Sequence, residues 1–230
     1  RLMAQNIKVS VDAVVFGYDD EAGKTSVLLI KRKHEPFKKT WALPGGLVLQ
    51  EESLEEAVRR ELREESGVDV NYLEQLYSFG NPRRDPRNRV VSVTYFGLVR
   101  PKDYHLSAQT DAEDVAWFDI QELPKLAFDH KAILDIAIKR LRGKLSYEPI
   151  GFELLNRKFP FSDLERLYMT LLGHDIDRRN FKKKIMRYGF LEELPEVIQR
   201  KAGRPAHLFQ FNKKKYFELK ERGFNFDLFL

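Results

Sequence analysis

The 230-residue sequence contains no cysteine. That excludes disulfide staples, thiolate metal sites and a cysteine nucleophile, and it fits a reducing, cytoplasmic setting. No apolar run approaches the roughly 20 residues that a membrane helix needs, and no signal-peptide pattern opens the chain. Internal repeats and low-complexity segments are missing as well. What is present is ordinary for a globular protein: 43% of residues are hydrophobic and 33% are charged. That is too apolar for a disordered chain. At about 150 residues per domain, the length suggests one large domain or two small ones.

The charge is uneven. The formal net charge of +5 conceals a basic segment, residues 149–230, with 17 Lys and Arg against 11 Asp and Glu, a net of +6. The preceding residues hold 23 against 24, a net of −1. A basic third on a nearly neutral remainder points to a polyanionic partner for that third.

Hydrophobic periodicity divides the chain further. Residues 7–16 alternate, with Ile7, Val9, Val11, Ala13 and Val15 on one face, which predicts a strand. Turn chemistry at 18–24 and an apolar run at 27–30 complete a hairpin. A Pro/Gly-rich loop follows at 41–46. Residues 53–65 read as a helix closed by Gly67. One or two strands lie within 68–79, a polar loop at 80–89, strands at 90–99 and 115–118, and a helix at 129–142. The mixture is an α/β (α+β) layer. Breakers between Gly143 and Gly151 mark a boundary, giving domains at 1–146 and 147–230. Beyond it, helices at 162–172 and 177–188 precede two apolar stretches, 191–198 and 208–211, around the basic turn 200–205. That order is a winged helix-turn-helix.

On a 100° wheel the helix at 53–65 has an apolar stripe of Leu54, Ala57, Val58 and Leu62. Glu61 and Glu65 fall inside that stripe and Glu64 on its edge. Buried acids neutralise or pair with a cation. Arg60 is one guanidinium for several carboxylates, so a hard divalent cation resolves the conflict. Gly45 and Gly46 allow close backbone approach, and Glu52 adds an acid at the helix start. In the second domain, Phe181, Ile185 and Tyr188 form the core stripe of the helix at 177–188. Arg179, Lys182, Lys183 and Arg187 lie opposite. With Arg178 and Asn180 they suit a recognition helix in a major groove. Lys201 and Arg204 would sit at a wing tip, where an arginine suits a narrow minor groove. Lys213, Lys214 and Lys215 add phosphate contacts.

Gly46, Glu52 and the run Arg60-Glu61-Leu62-Arg63-Glu64-Glu65-Ser66-Gly67-Val68 match the Nudix box at every constrained position. The resemblance implies an α/β/α sandwich in which Glu61, Glu64 and Glu65 bind Mg²⁺ or Mn²⁺. Glu52 and the Gly46 carbonyl would assist, and Arg60 would orient the glutamates. It implies hydrolysis of a diphosphate joining a nucleoside to another group. The base would be Glu64 within the box, or Glu113 or Asp111 in the loop before the Trp117 strand. Arg84-Asp85-Pro86-Arg87, preceding Val90-Val91-Ser92-Val93, resembles the ADP-ribose type and implies ligand contacts by Arg84, Asp85 and Arg87. Asp129-His130 resembles the same group. Together with Asn180-Phe181-Lys182-Lys183-Lys184 and Gly203-Arg204-Pro205-Ala206, these pieces resemble the Nudix-related transcriptional regulators, the NrtR family. That resemblance implies ADP-ribose as effector, a duplex DNA operator, a homodimer, and repression of NAD metabolism genes. The box here is complete, so residual or real hydrolysis stands beside sensing.

Overall fold

The structure is a computed structural model that describes residues 5–108, 111–199 and 204–228. The chain forms two compact units, one of residues 1–19 with 25–139, the other of 20–24 with 140–230.

The first unit is built on one mixed sheet. Its strands are β1 (Lys8–Asp19), β2 (Lys24–Arg32), β3 (Trp41–Ala42), β4 (Gly45–Leu47), β5 (Leu73–Phe79), β6 (Val90–Val99) and β7 (Ala112–Asp119). The main order is β3-β2-β1-β6-β5, with β4 on β1 and β7 on β2. β1 and β6 run parallel, pairing Lys8 with Val90 through Gly17 with Val99. Alternation along β1 sends Val11, Ala13 and Val15 into a core with Ala57, Val58 and Leu62 of helix α1 (Leu54–Ser66). Asp12, on the opposite register, meets His130 at the start of helix α2 (His130–Tyr147). Helices therefore begin on both faces of the sheet, as a sandwich requires.

α1 starts where its sequence says it should. Ser53 accepts the Glu56 backbone N–H and Glu56 returns a bond to the Ser53 N–H, a complete capping box. Such a cap contributes about 1 kcal/mol. Gly67 closes the helix with φ 73°, a left-handed position that a side chain disfavours.

The second unit holds α3 (Phe161–Leu172), α4 (Arg178–Arg187), α5 (Lys213–Glu221) and a small antiparallel sheet. Its strands are β8 (Phe159–Pro160), β9 (Leu191–Ile198) and β10 (Ala206–Phe211), in the order β8-β10-β9. Its core is aromatic. Phe190 is wholly buried and meets the rings of Phe152, Tyr188, Phe211, Tyr216, Phe224 and Phe226. Offset and edge-on ring pairs of this kind add stabilisation beyond the area they bury.

The short strands β3 and β4 stand where the sequence predicts a loop, β8 stands where it predicts no strand, and two helices depart from the sequence reading as well. α2 does not stop at 142 but runs through Gly143 to Tyr147. A helix-interior glycine costs about 1 kcal/mol, and the buried Leu141 and Leu145 on either side offset it. α5 follows the wing, where no element was expected. Three lysines at its first turn oppose the helix dipole, and the Asn212 side chain caps it by accepting the Lys215 N–H.

Candidate functional site

In the first unit the candidate residues of the box gather around the loop between β3 and β4 and the inner face of α1. Arg60 is the organising group. Its Nε and Nη2 bond both Glu52 oxygens at 2.9 and 2.6 Å, and Nη1 bonds Glu61 at 2.7 Å and Glu64 at 3.3 Å. Nη2 also reaches the Leu47 carbonyl at 3.3 Å. One guanidinium thus holds three carboxylates of the box. Hydrogen bonding from Arg60 keeps the Glu52 carboxyl low, at about 2.

Glu65 has a different environment. It is 4% exposed, and its carboxylate accepts the Gly45 N–H at 2.9 Å. Burial, reinforced by the charges of Glu61, Asp12 and Asp111, pushes it up to about 8 against that one hydrogen bond. Burial also raises Glu61. Gly46 lies so close that a Cβ there would stand 2.3 Å from a Glu61 oxygen, so only glycine leaves this cradle open. Clustered, half-desolvated carboxylates against a backbone cradle are a donor set that suits a hard divalent cation. Among the described residues no three such groups converge in a metal-holding arrangement. Arg60 lies between Glu52, Glu61 and Glu64 instead. Of the two acids before the Trp117 strand, Asp111 contributes to the field at Glu61 and Glu65. Glu113 is exposed, on the rim formed by β7.

Behind the cradle is a buried ionic brace. Arg84 grips Asp129 with Nε and Nη2 at 2.9 and 2.8 Å and reaches Asp12 at 3.5 Å, its side chain 5% exposed. Asp12 also accepts the Ser92 hydroxyl at 2.5 Å and lies 3.5 Å from His130 Nε2. His130 Nδ1 accepts the Leu43 N–H at 2.9 Å, which places its proton on Nε2. Burial lowers this imidazole, in keeping with an Nδ1 that accepts a hydrogen bond and carries no proton. His130 is therefore a brace between α2 and the β3–β4 loop. Arg84, expected at the ligand, holds the loop at 83–87 to the root of α2. On the same loop Arg87 bonds Asp85 at 2.8 Å and is half exposed.

In the second unit α4 has the expected polarity. Asp177 caps it by accepting the Asn180 N–H, and Phe181 and Ile185 are buried. Arg178, Arg179, Asn180, Lys182, Lys183 and Arg187 are exposed. They are not equivalent. The Lys182 ammonium stands 5.0 Å over the Phe161 ring and 5.6 Å from that of Phe209, a cation–π contact that seats α4 on α3 and β10. Arg178 and Lys182 also act on Glu165 of α3. Arg179, Lys183 and Arg187, spaced by four, form the outward ridge. Arg204 is exposed at the foot of β10, while Lys201 lies outside the described residues. Lys213 pairs with Glu153 at 2.7 Å. Among the described residues no helix is long and apolar enough to cross a membrane.

Residues 7–136 match the NUDIX domain family, and residues 151–211 match the NrtR DNA-binding winged helix domain. The "ADPR responsive transcriptional repressor NtrR" of Acinetobacter baylyi is 36% identical over 213 residues, 90% of this chain and 83% of that protein. The "ADP-ribose pyrophosphatase" of Methanocaldococcus jannaschii is 44% identical over 108 residues, 47% of this chain and 63% of that protein. The crystal structure of Shewanella oneidensis NrtR complexed with a 27mer DNA superposes with a TM-score of 0.75 at 31% identity, covering 95% of this chain and 97% of that one. The Nudix box and the winged helix thus follow one another on a single chain as they do along nearly the whole Shewanella protein, and the chain belongs to the Nudix family, in the NrtR branch that carries a DNA-binding winged helix.

Proposed function

We propose that this chain is an ADP-ribose-responsive transcriptional repressor acting in the cytoplasm on genes of NAD metabolism. It reads a duplex operator as a homodimer, through domains bounded near residues 146 and 147. The observation that carries this reading is the pairing, in one chain, of a Nudix cleft with a basic winged helix, shared with the Acinetobacter repressor over 90% of the chain. The ridge Arg179, Lys183 and Arg187 enters the major groove, with Arg178 and Asn180 at the start of the same helix. Lys182 approaches the DNA only while seated on its rings. Arg204, with Lys201, approaches the minor groove from the wing. Two copies present two such helices, so the operator is a palindrome with half-sites one or two turns apart.

A gel shift on the chain's own upstream region tests this. Wild-type protein should retard that DNA, ADP-ribose should release it, and Lys183→Ala should weaken it. If Lys183 reads a base, the loss is about 1–3 kcal/mol with relaxed specificity; if it meets only phosphate, the salt slope falls by about one. Retardation that ignores both ADP-ribose and Lys183→Ala would refute the assignment.

The complete box favours a second activity of the same cleft, hydrolysis of ADP-ribose to AMP and ribose 5-phosphate. Glu61, Glu64 and Glu65, with Glu52 and the Gly46 carbonyl, would hold Mg²⁺ or Mn²⁺. Such a cation, when bound, neutralises phosphoryl charge and makes a coordinated water more acidic. Arg60 fixes the carboxylates, and Glu64, Glu113 or Asp111 takes the proton of the attacking water. Chromatography after long incubation with Mn²⁺ should show AMP above a Glu64→Gln control. Equal AMP in the two would leave a sensor alone.

A further inference from the structure

The cations of α4 fall into two sets. On a 100° wheel with the buried Phe181 at 0°, Ile185 lies at about 40°, and Arg179, Lys183 and Arg187 lie at about 160–240°. Arg178 and Lys182 fall between, at about 60° and about 100°, on the flank of the helix. That flank meets α3. Phe161 and Glu165, one turn apart on α3, act on Arg178 and Lys182, one turn apart on α4. Burial raises the Glu165 carboxyl, and the charges of Arg178 and Lys182 oppose that rise. Two cations spaced i and i+4 repel, and Glu165 offsets that repulsion.

The Lys182 ammonium also meets the wing. It stands 5.0 Å over the Phe161 ring and 5.6 Å from the Phe209 ring of β10, and those two buried rings pack nearly edge-on at 5.5 Å. β10 shifts register against β9 between His207 and Phe209, an irregularity of the kind that re-aims a side chain. Arg204 stands two residues before β10 on the same stretch of chain. One side chain of α4 thus touches α3 and the strand that begins at the wing arginine.

We propose that Lys182 serves operator binding as a positioning residue, joining α4 to the Arg204 end of the wing so that helix and wing dock as one body. The proposal rests on the reading of α4 and the wing as operator-binding elements.

Operator binding by the full chain at several salt concentrations tests it, with Lys182→Met and Lys182→Arg, each with and without Arg204→Ala. Methionine keeps an apolar stem over the rings and removes the cation. Arginine keeps the cation and stacks on aromatic faces. Lys182→Met should weaken binding by roughly two- to fivefold, the size of a partly exposed cation–π contact, with an unchanged salt slope. Lys182→Arg should bind as the wild type does. Arg204→Ala should cost less affinity in the Lys182→Met background than in the wild type, because the wing is already loosened there. A salt slope that falls by about one in Lys182→Met is the mark of a lost phosphate contact and overturns the proposal. An Arg204→Ala cost that is the same in both backgrounds overturns it too. Amide hydrogen exchange reads the seat without DNA. Residues 206–211 should exchange faster in Lys182→Met and at the wild-type rate in Lys182→Arg. Wild-type protein that binds no duplex overturns the operator reading, whereas equal exchange in all three proteins overturns the seat itself.

Discussion

Replacing Arg84 by alanine should destabilise the first unit by about 3–5 kcal/mol, the usual cost of removing one member of a buried ion pair. The reason is what the substitution strands. Asp129 would lose two short hydrogen bonds and Asp12 its nearby positive charge, both beneath the cleft. Asp12 would then rely on Ser92 and on a His130 whose Nδ1 carries no proton. Arg87→Ala, three residues along on the same loop, removes a half-exposed arginine from Asp85, whose side chain is 8% exposed but still accepts the backbone N–H of residue 87, so the cost should be smaller, about 1 kcal/mol. Urea unfolding of the two variants, followed at the transition of the first unit, separates these outcomes. An Arg84→Ala midpoint no lower than that of Arg87→Ala would mean that the brace carries no load and that Arg84 is available to a ligand after all.

The second large effect runs the other way. Without metal, Glu65 is a buried carboxyl raised from 4.5 to about 8. Between those values the folded protein holds a proton that the unfolded chain has released, so stability falls as pH rises through that window. Glu65→Gln keeps an acceptor for the Gly45 N–H but has no charge to bury. In chelator, the variant should match the wild type near pH 4.5 and exceed it by about 1–3 kcal/mol at pH 8. It should also bind Mn²⁺ more weakly. A variant less stable than wild type at pH 8 would show that the carboxylate is well solvated or well paired where it sits.

How much of this was legible in the sequence depends on how far apart the interacting residues are. The box declared itself because its parts lie within one helix and one loop, where helical spacing alone puts Glu61 and Glu65 on the buried face. α4 was legible for the same reason. Arg84 was not: nothing in a polar, proline-broken loop announces burial, and its partners are 45 and 72 residues away. Lys182 reads as one more exposed cation until α3 and β10 bring Phe161 and Phe209 beneath it. Arg32 ends an apolar strand and belongs to no motif, so only the fold shows that its Nε meets the Pro36 carbonyl and its guanidinium the Phe128 ring. β3 and β4 have two and three residues, too short for any period to register. Gly143 read as a stop because a lone glycine usually weakens a helix; the packing of Leu141 and Leu145 overrides it.

The central claim is that the Nudix cleft controls the DNA-binding domain, and it has a thermodynamic signature. ADP-ribose can release DNA only if it binds the DNA-incompetent form more tightly than the competent one. The coupling is reciprocal, so operator DNA must weaken ADP-ribose binding by the same factor by which ADP-ribose weakens operator binding. Titrating ADP-ribose into the full chain with and without saturating operator measures that factor directly. A weaker ADP-ribose affinity in the presence of operator, by a factor equal to the loss of operator affinity in saturating ADP-ribose, is the predicted result. Identical ADP-ribose affinities in the two titrations would contradict it, whatever each domain does alone.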